Sequence, residues 1–417
     1  MTENLNQLSN VFCMAPFFNF YYKGSAHEAK IRPCCESRMD SFKTNIPNFK
    51  DFWTGKFMQD VRRKMLSNKS HEICKRCVEV ETAGGLNARK LYAEHFKKAT
   101  KKLKGNITFN ITTGNNLDTP LQIDYRANNL CNLKCRMCNA SSSTEIAKEI
   151  SKNTEIYKTV GYTHSINDLY KEIKNQNNSY ITQLPLQNIV RAKFLGGEPL
   201  IQKDVYAGLH LLHKKSLNPN NLHISFTTNA TNFNSNFKNI IGKLGSMNIT
   251  ISLDGVGQTY EYIRTNANWL QVKSNIIELL EERHNSKSLQ IGFSFIIQMY
   301  SIFNIIDVLN FCKKIKDNNY INLREPFFSP VEQDWLSTKI LDDKDYNFIV
   351  NEIKKFNASY SNQNWCNDIL NIMENFDKKR DKDKNVLGKI FKQYTNTQDK
   401  IRFTKLLNLN KKFGKYI

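Results

Sequence analysis

No run of apolar residues in this 417-residue chain approaches the roughly 18 needed to cross a bilayer. The opening MTENLNQLSN has neither the basic nor the apolar region of a signal peptide. These two absences predict a cytoplasmic chain without membrane contact. Acidic residues are also in deficit, 39 Asp and Glu against 60 Lys and Arg, which leaves a formal net charge of +21. A basic surface attracts polyanions. Lysine here accompanies abundant Asn, Ile, Phe and Tyr along the whole length, however, the mixture that an AT-rich coding sequence produces. The excess concentrates in two segments, Arg89 to Lys104 and Phe376 to Ile417. Charge runs outside a known fold read first as solvated faces and a basic tail, and second as a contact for RNA or DNA.

There is no shortage of cysteine, with ten residues. In a short secreted protein that number would mean a disulfide framework, whereas in a long cytosolic chain clustered cysteines bind metal or carry redox chemistry. An apolar fraction of 40% is enough for proper cores, and the length suffices for two or three domains.

Residues 1–105 read as a cysteine-rich unit, with strand-like FFNFYY and AKIRPCC on either side of a turn near Gly24. The stretch FKDFWTGKFMQDVRRKML spaces Phe49, Phe52, Trp53, Phe57, Val61 and Met65 as a helix spaces its core face. Helical KLYAEHFKKATKKLK then leads out of the unit. In residues 106–330 the short runs LQIDYRA, IVRAKFLG, LHISFTTN, NITISLDG, IGFSFIIQ and INLREPFF alternate with amphipathic stretches such as Val272 to Arg283 and Ile305 to Ile315. That alternation predicts six βα units and a parallel sheet. The fold class expected is α/β: a partial (β/α)6 TIM-like barrel, a small N-terminal cysteine-rich α+β domain, and a helical, Lys-rich C-terminal region over 331–417. Active sites of such barrels form at the C-terminal ends of the strands. No internal repeat is present.

The first strand of the barrel runs straight into CNLKCRMC, which puts Cys131, Cys135 and Cys138 in a C-x3-C-x2-C arrangement. Three thiolates on one tight loop each hold an iron of a cubane and leave the fourth iron without a protein ligand. A structural zinc site wants four ligands, yet no fourth Cys or His lies on the loop and the next histidine is His164. With this motif the sequence resembles the radical S-adenosylmethionine (SAM) superfamily. The resemblance implies a 4Fe-4S cluster whose open iron is chelated by SAM, reductive cleavage of SAM to a 5'-deoxyadenosyl radical, and an electron donor such as flavodoxin or ferredoxin. Met137 matches the apolar residue usual before the third cysteine, although loop packing explains it equally well.

Three further segments carry the same resemblance. FLGGEPL, with Gly196, Gly197 and Glu198, is similar to the family's GGEP motif, in which glycines let the backbone approach the ligand and the carboxylate accepts from the SAM ammonium. TTNAT resembles the T-N-G segment, with Ala230 in place of glycine, and makes Thr228 and Asn229 contacts for the ribose or methionine portion. ISLDGVGQTYEYIR resembles the S-L-D-G segment and following arginine of peptide-modifying members. Ser252 and Arg264 would then hold the SAM carboxylate. Asp254 reads first as a turn residue and second as a group for substrate or proton handling.

Ahead of the barrel stand Cys13, Cys34, Cys35, Cys74 and Cys77. Their surroundings resemble the SPASM or twitch auxiliary-cluster domain, which usually follows the barrel. The cysteines that a full motif would place after Cys77 are missing, with Ala83 and Asn87 at those spacings. Cys13, Cys34 or Cys35, Cys74 and Cys77 would ligate one auxiliary iron-sulfur cluster, and a zinc ion would take the same four thiolates. The family resemblance favours iron. Cys312 and Cys366 fit no motif and read as ordinary buried residues. The function expected is hydrogen abstraction from a peptide or a small molecule. An RNA substrate, or a non-catalytic zinc-stabilised nucleic-acid-binding role, is the alternative.

Overall fold

A computed structural model describes residues 11–23, 30–37, 49–82, 88–102, 119–159, 184–217, 219–241, 246–282, 289–360 and 364–417. Gly24, Ala83, Asn87 and His164 lie outside them. In chain order the strands are β1 (Asn19–Lys23), β2 (Lys30–Arg32), β3 (Gln122–Arg126), β4 (Lys134–Cys135), β5 (Arg191–Phe194), β6 (His223–Thr228), β7 (Ser246–Ser252), β8 (Arg264–Thr265), β9 (Leu289–Ile297) and β10 (Phe327–Pro330). Eight of them form one sheet in the order β10-β9-β7-β6-β5-β3-β1-β2, and β4 pairs with β8 in a small ribbon.

The six βα units expected from the sequence are β3, β5, β6, β7, β9 and β10, all parallel, in an unclosed barrel. Alternation along β6 and β7 explains the orientation. Ile224, Phe226, Met247, Ile249 and Ile251 are buried in one large core with Val205, Leu209, Leu212, Val272 and Ile276 of the covering helices. The intervening Ser225, Thr227, Asn248 and Thr250 face the other way, as the two-residue period of a strand requires. The last strand begins later than INLREPFF suggests. Arg324 N–H donates to the Ile291 carbonyl at 2.7 Å, but the ring of Pro326 offers no N–H, and the ladder resumes only at Phe327.

The N-terminal strands differ more from the sequence reading. Instead of standing apart, β1 lies parallel to β3 in continuous register, Asn19 opposite Gln122 through Lys23 opposite Arg126, and β2 closes that edge antiparallel. The first residues of FFNFYY fold as a helical turn, Ala15–Phe18, with Pro16 in its opening positions, where a missing N–H costs nothing. Met14, Phe17, Phe18, Val61, Met65, Ile73, Tyr92 and Phe96 share a second core with Leu121 and Val190, the residues just before β3 and β5. The N-terminal unit therefore packs beneath the N-terminal ends of the barrel strands. The aromatic-rich stretch makes two helices, Phe49–Thr54 and Lys56–Leu66, broken at Gly55, whose position leaves no room for a side chain: a Cβ would sit 1.9 Å from the Asp51 carbonyl oxygen. Buried Arg62 ties the two layers together, donating to the Pro16 and Trp53 carbonyls at 2.8 and 2.7 Å over the Trp53 ring.

Nor is the C-terminal region a solvated tail. Leu387, Phe391, Tyr394, Leu406 and Phe413 are buried in the main core, and the lysines of this region lie outside it. Among the described residues no helix is long and apolar enough to cross a membrane.

Because β1 supplies a ladder and an apolar layer to the barrel, a fragment of residues 119–417 is expected to show no cooperative unfolding transition by circular dichroism. A transition at the midpoint of the full chain would mean that the N-terminal strands are dispensable.

Candidate functional site

The chemistry-bearing motifs gather at one edge of the sheet. The cysteine loop follows β3, Glu198 follows β5, Asn229 follows β6, Asp254 follows β7 and Gln298 follows β9. An irregular loop must find partners for its own backbone, and this one takes them from the chain on every side. Thr144 exchanges hydrogen bonds with Cys131, its N–H reaches the Asn129 carbonyl at 3.0 Å, and the Ser143 hydroxyl donates to the Leu133 carbonyl at 2.7 Å. The same Ser143 caps the helix Thr144–Lys152. Lys134 and Cys135 pair antiparallel with Thr265 and Arg264, and Arg136 N–H donates to the Ile263 carbonyl at 2.9 Å. Cys131 and Cys135 are buried, and with Leu133 they form a small cluster against which Met137 and Cys138 pack. Burial pushes the Cys131 thiol up to about 11 and that of Cys135 to about 12, and raises Cys138 as well. Thiols held this way keep their protons at neutral pH until a cation displaces them.

Glu198 is buried, and its carboxylate is already in use. Oε1 accepts from the Thr228 hydroxyl at 2.6 Å and from Leu200 N–H at 3.1 Å, and Oε2 accepts from Asn229 N–H at 2.6 Å. Burial raises its pKa, and these donors oppose the rise. Its own N–H donates to the Leu130 carbonyl at 2.8 Å, so the GGEP turn is clamped onto the start of the cysteine loop. That approach is why Gly197 has no side chain: φ is +52°, and a Cβ would fall 2.2 Å from the Leu130 carbonyl oxygen. Ala230, where the family has glycine, is likewise left-handed at φ +57°. Asn229 reaches the loop from the other side, its amide donating to Asn132 Oδ1 at 3.0 Å.

Arg264 is engaged within the protein. It pairs with Asp254, donates to the Leu253 carbonyl at 3.2 Å, and points Nη1 at Cys135 Sγ, 3.6 Å away. Asp254, itself left-handed at φ +61°, accepts from Ile296 N–H at 2.8 Å. The structure thus joins Glu198, Thr228 and Asn229 in one network and Cys135, Arg264 and Asp254 in another. Ser252 ends β7, partly exposed, and among the described residues no hydrogen bond joins its side chain to either. Two groups escaped the sequence reading. Gln298 is fully buried on the same face as Ser294 and Ile296, with neither amide atom partnered. Arg126 donates to the Ser141 carbonyl and packs so closely under Gly196 that a Cβ there would meet its side chain at 2.1 Å. A lone Gln or Arg at a strand end gives no motif; only the alternation of β3 and β9 could have marked them.

The N-terminal cysteines form a second set. Cys13, Cys34, Cys74 and Cys77 line one cavity together with Pro16, Met65, Ile73 and Val78. Cys35 does not line it; its Sγ lies 3.7 Å from the Tyr92 hydroxyl and 3.9 Å from Glu36, two residues of the cavity wall. Burial lifts Cys13 and Cys74 to about 12 and Cys77 to about 11, and raises Cys34 well above the usual thiol range. Cys74 ends a turn capped by His71, and Cys77 lies one helical turn on, in Lys75–Thr82. Among the described residues no three such side chains in either set already stand at metal-ligand geometry. Cys312 and Cys366 are buried in the main core.

Residues 125–296 match the family model described as "Radical SAM superfamily". No curated protein matches the chain. Among solved structures, Streptococcus suis SuiB bound to S-adenosylmethionine is 14% identical with a TM-score of 0.35, over 85% of this chain and 69% of that one. The complex of SuiB with its precursor peptide SuiA is 13% identical at 0.36, over 82% and 69%. The anSMEcpe structure with bound AdoMet is 16% identical at 0.37, over 58% of this chain and 63% of its own. At TM-scores this low none of the three bears on the ligands of this chain.

Replacing Glu198 by Gln turns one acceptor oxygen into a donor facing donors. The variant is expected to lose about 1–3 kcal/mol of stability, the cost of leaving a buried group unsatisfied. Urea denaturation measures it, and an unchanged midpoint would mean that the network is not held by the carboxylate.

Proposed function

We propose that this chain, which matches the radical SAM model over residues 125–296, is an enzyme of that class, that Cys131, Cys135 and Cys138 hold a 4Fe-4S cluster and that the edge above them binds SAM. The observation that carries this reading is the convergence of three thiols, two buried and one half-buried, with the Glu198 network on one side and Arg264 on the other. Three thiolates from one loop suit a cubane with an open iron. When bound, the cluster and SAM supply one-electron cleavage of the sulfonium and a carbon radical able to take hydrogen from an unactivated C–H.

The chain's own groups would do the rest. Glu198 has a lone pair left on Oε2, a buried anionic acceptor for the SAM ammonium. Thr228 and Asn229, oriented by Glu198, would contact ribose or methionine. Arg264 would take the SAM carboxylate by sharing its guanidinium between that group and Asp254, and Ser252 would add a hydroxyl. Gln298, with a donor and an acceptor both free, adds a contact for a polar ligand edge.

The second cysteine set supports an auxiliary iron-sulfur cluster on Cys13, Cys34, Cys74 and Cys77, in keeping with the resemblance to SPASM and twitch domains. Four thiols lining one cavity, with Cys35 outside that lining, is the supporting geometry. Such a centre would take or pass an electron, the first electron coming from a flavodoxin or ferredoxin. The resemblance favours a peptide or small molecule as substrate.

Anaerobically reconstituted protein is expected to convert SAM to 5'-deoxyadenosine and methionine, and Cys135→Ala to abolish the conversion. Chromatography of the products decides; normal turnover by the variant would sink the assignment. A triple replacement of Cys131, Cys135 and Cys138 by Ala should retain about four irons per chain in the auxiliary set. Zinc found there instead would make the N-terminal unit a structural clip.

A further inference from the structure

Arg136 directly follows Cys135, is completely buried, and stands outside the ligand and SAM contacts proposed above. A buried guanidinium is tolerated only when paired and hydrogen-bonded. Its Nε donates to the Tyr262 carbonyl at 2.9 Å, and its plane lies 3.6 Å from the centroid of the Tyr262 ring. The terminal nitrogens donate to Asp399 Oδ1 and Thr404 Oγ1, both at 2.7 Å, and to Gln398 Oε1 at 3.4 Å. Those three partners belong to the C-terminal helix Lys384–Arg402 and the residues just past it.

The same helix also grips the loop backbone on both sides of Cys135. Arg402 Nη1 donates to the Lys134 carbonyl at 2.9 Å, and the Tyr394 hydroxyl donates to the Arg136 carbonyl at 2.7 Å. Arg402 is in turn fixed by Glu149 at 2.8 Å, on the helix that follows the cysteine loop, and Glu149 also receives Lys134 at 3.0 Å and the Tyr157 hydroxyl at 2.5 Å. A helix more than 250 residues downstream thus holds the carbonyls of both residues that flank Cys135.

We infer that the helix Lys384–Arg402 is a positioning strap for the cysteine loop, fixing the backbone around Cys135 and, through the Arg136–Asp399 pair, balancing charge beside the cluster site so as to set how readily that centre accepts an electron. This rests on the reading of Cys131, Cys135 and Cys138 as the ligand set. Outer partners orient ligands and tune a metal centre, and the potential of an iron-sulfur centre follows net charge and hydrogen bonding around it. Asp399→Asn leaves the Arg136 charge uncompensated and favours the reduced state. Arg136→Gln leaves the Asp399 charge and favours the oxidised one. Simple packing would give no such opposition of sign.

The test uses the full chain. In the apoprotein, Tyr394→Phe removes one hydroxyl and no charge. Amide hydrogen exchange across residues 131–138 should become about tenfold faster, the effect of losing one net hydrogen bond, with the sheet unchanged. Exchange unaltered in the loop overturns the strap. In reconstituted protein of equal iron content, EPR-monitored redox titration of the SAM-responsive signal should move up for Asp399→Asn and down for Arg136→Gln. Equal potentials, or shifts of one sign, overturn the charge role. Wild-type protein that binds no iron overturns the ligand assignment itself, an outcome that the apoprotein exchange measurement keeps separate from the strap.

Discussion

Presenting three thiols from one irregular loop is the constraint on which the rest of this structure depends. A loop has no ladder of its own, so each backbone group that water cannot reach must be met by another part of the chain. Cys131 is met by Thr144, Cys135 by the β4–β8 ribbon, and Leu130 by the GGEP turn. Each provider is anchored in turn: Thr144 at the start of a capped helix, Arg264 by Asp254, and Glu198 by β6. The motif residues are therefore structural in their own right. The Glu198 carboxylate is held by Thr228 and Asn229 at the end of β6 and by Leu200 of its own turn, which makes it a rigid acceptor and not a mobile one.

The two cysteine sets lie at different levels of the same sheet. The barrel thiols follow the C-terminal end of β3, while Cys13 precedes β1 and Cys34 follows antiparallel β2, which places them toward the N-terminal ends of β1 and β3. A five-residue strand spans roughly 17 Å. Placing the N-terminal unit inside the barrel's own hydrogen-bonded sheet fixes that separation, which a flexible linker would not do. It also covers an edge of β3 that would otherwise be left open to pairing with other chains.

How much of this could be read in the sequence follows from range. Strands β3, β5, β6, β7 and β9 were legible because their apolar residues recur with the strand period and turn residues bound them. The site motifs were legible because short spacing on one loop carries its own geometry. Neither argument reaches across the chain. That β1 joins β3 depends on pairing across about a hundred residues, and no local pattern distinguishes FNFYY in an edge hairpin from FNFYY in a barrel. Choosing Cys34 over Cys35 turns on which way two adjacent side chains point in the turn after β2, where the strand alternation has already ended and the sequence gives no label. Arg136 and Asp399 were invisible for the same reason: one sits inside a motif whose cysteines draw the attention, the other in a segment whose lysines suggest a solvated tail.

The acid deficit takes on meaning against that background. Among the described residues the buried acids are Asp124, Glu149, Glu198, Asp254, Asp345 and Asp377. Glu149, Glu198 and Asp254 hold the edge that carries the cysteine loop, and Asp377 holds Thr338 and Arg380 beneath the C-terminal helices. The buried cations among the same residues are all arginines, whose planar fork meets a carboxylate and a carbonyl together, as Arg402 and Arg264 do. Lysine, a compact and strongly hydrated charge, stays out of the core. Six buried acids thus face five buried arginines among the described residues, so the interior nearly balances its own charge. The excess of +21 is carried by the lysine-rich outer surface, and a surface charge of this kind does not by itself point to a nucleic-acid partner.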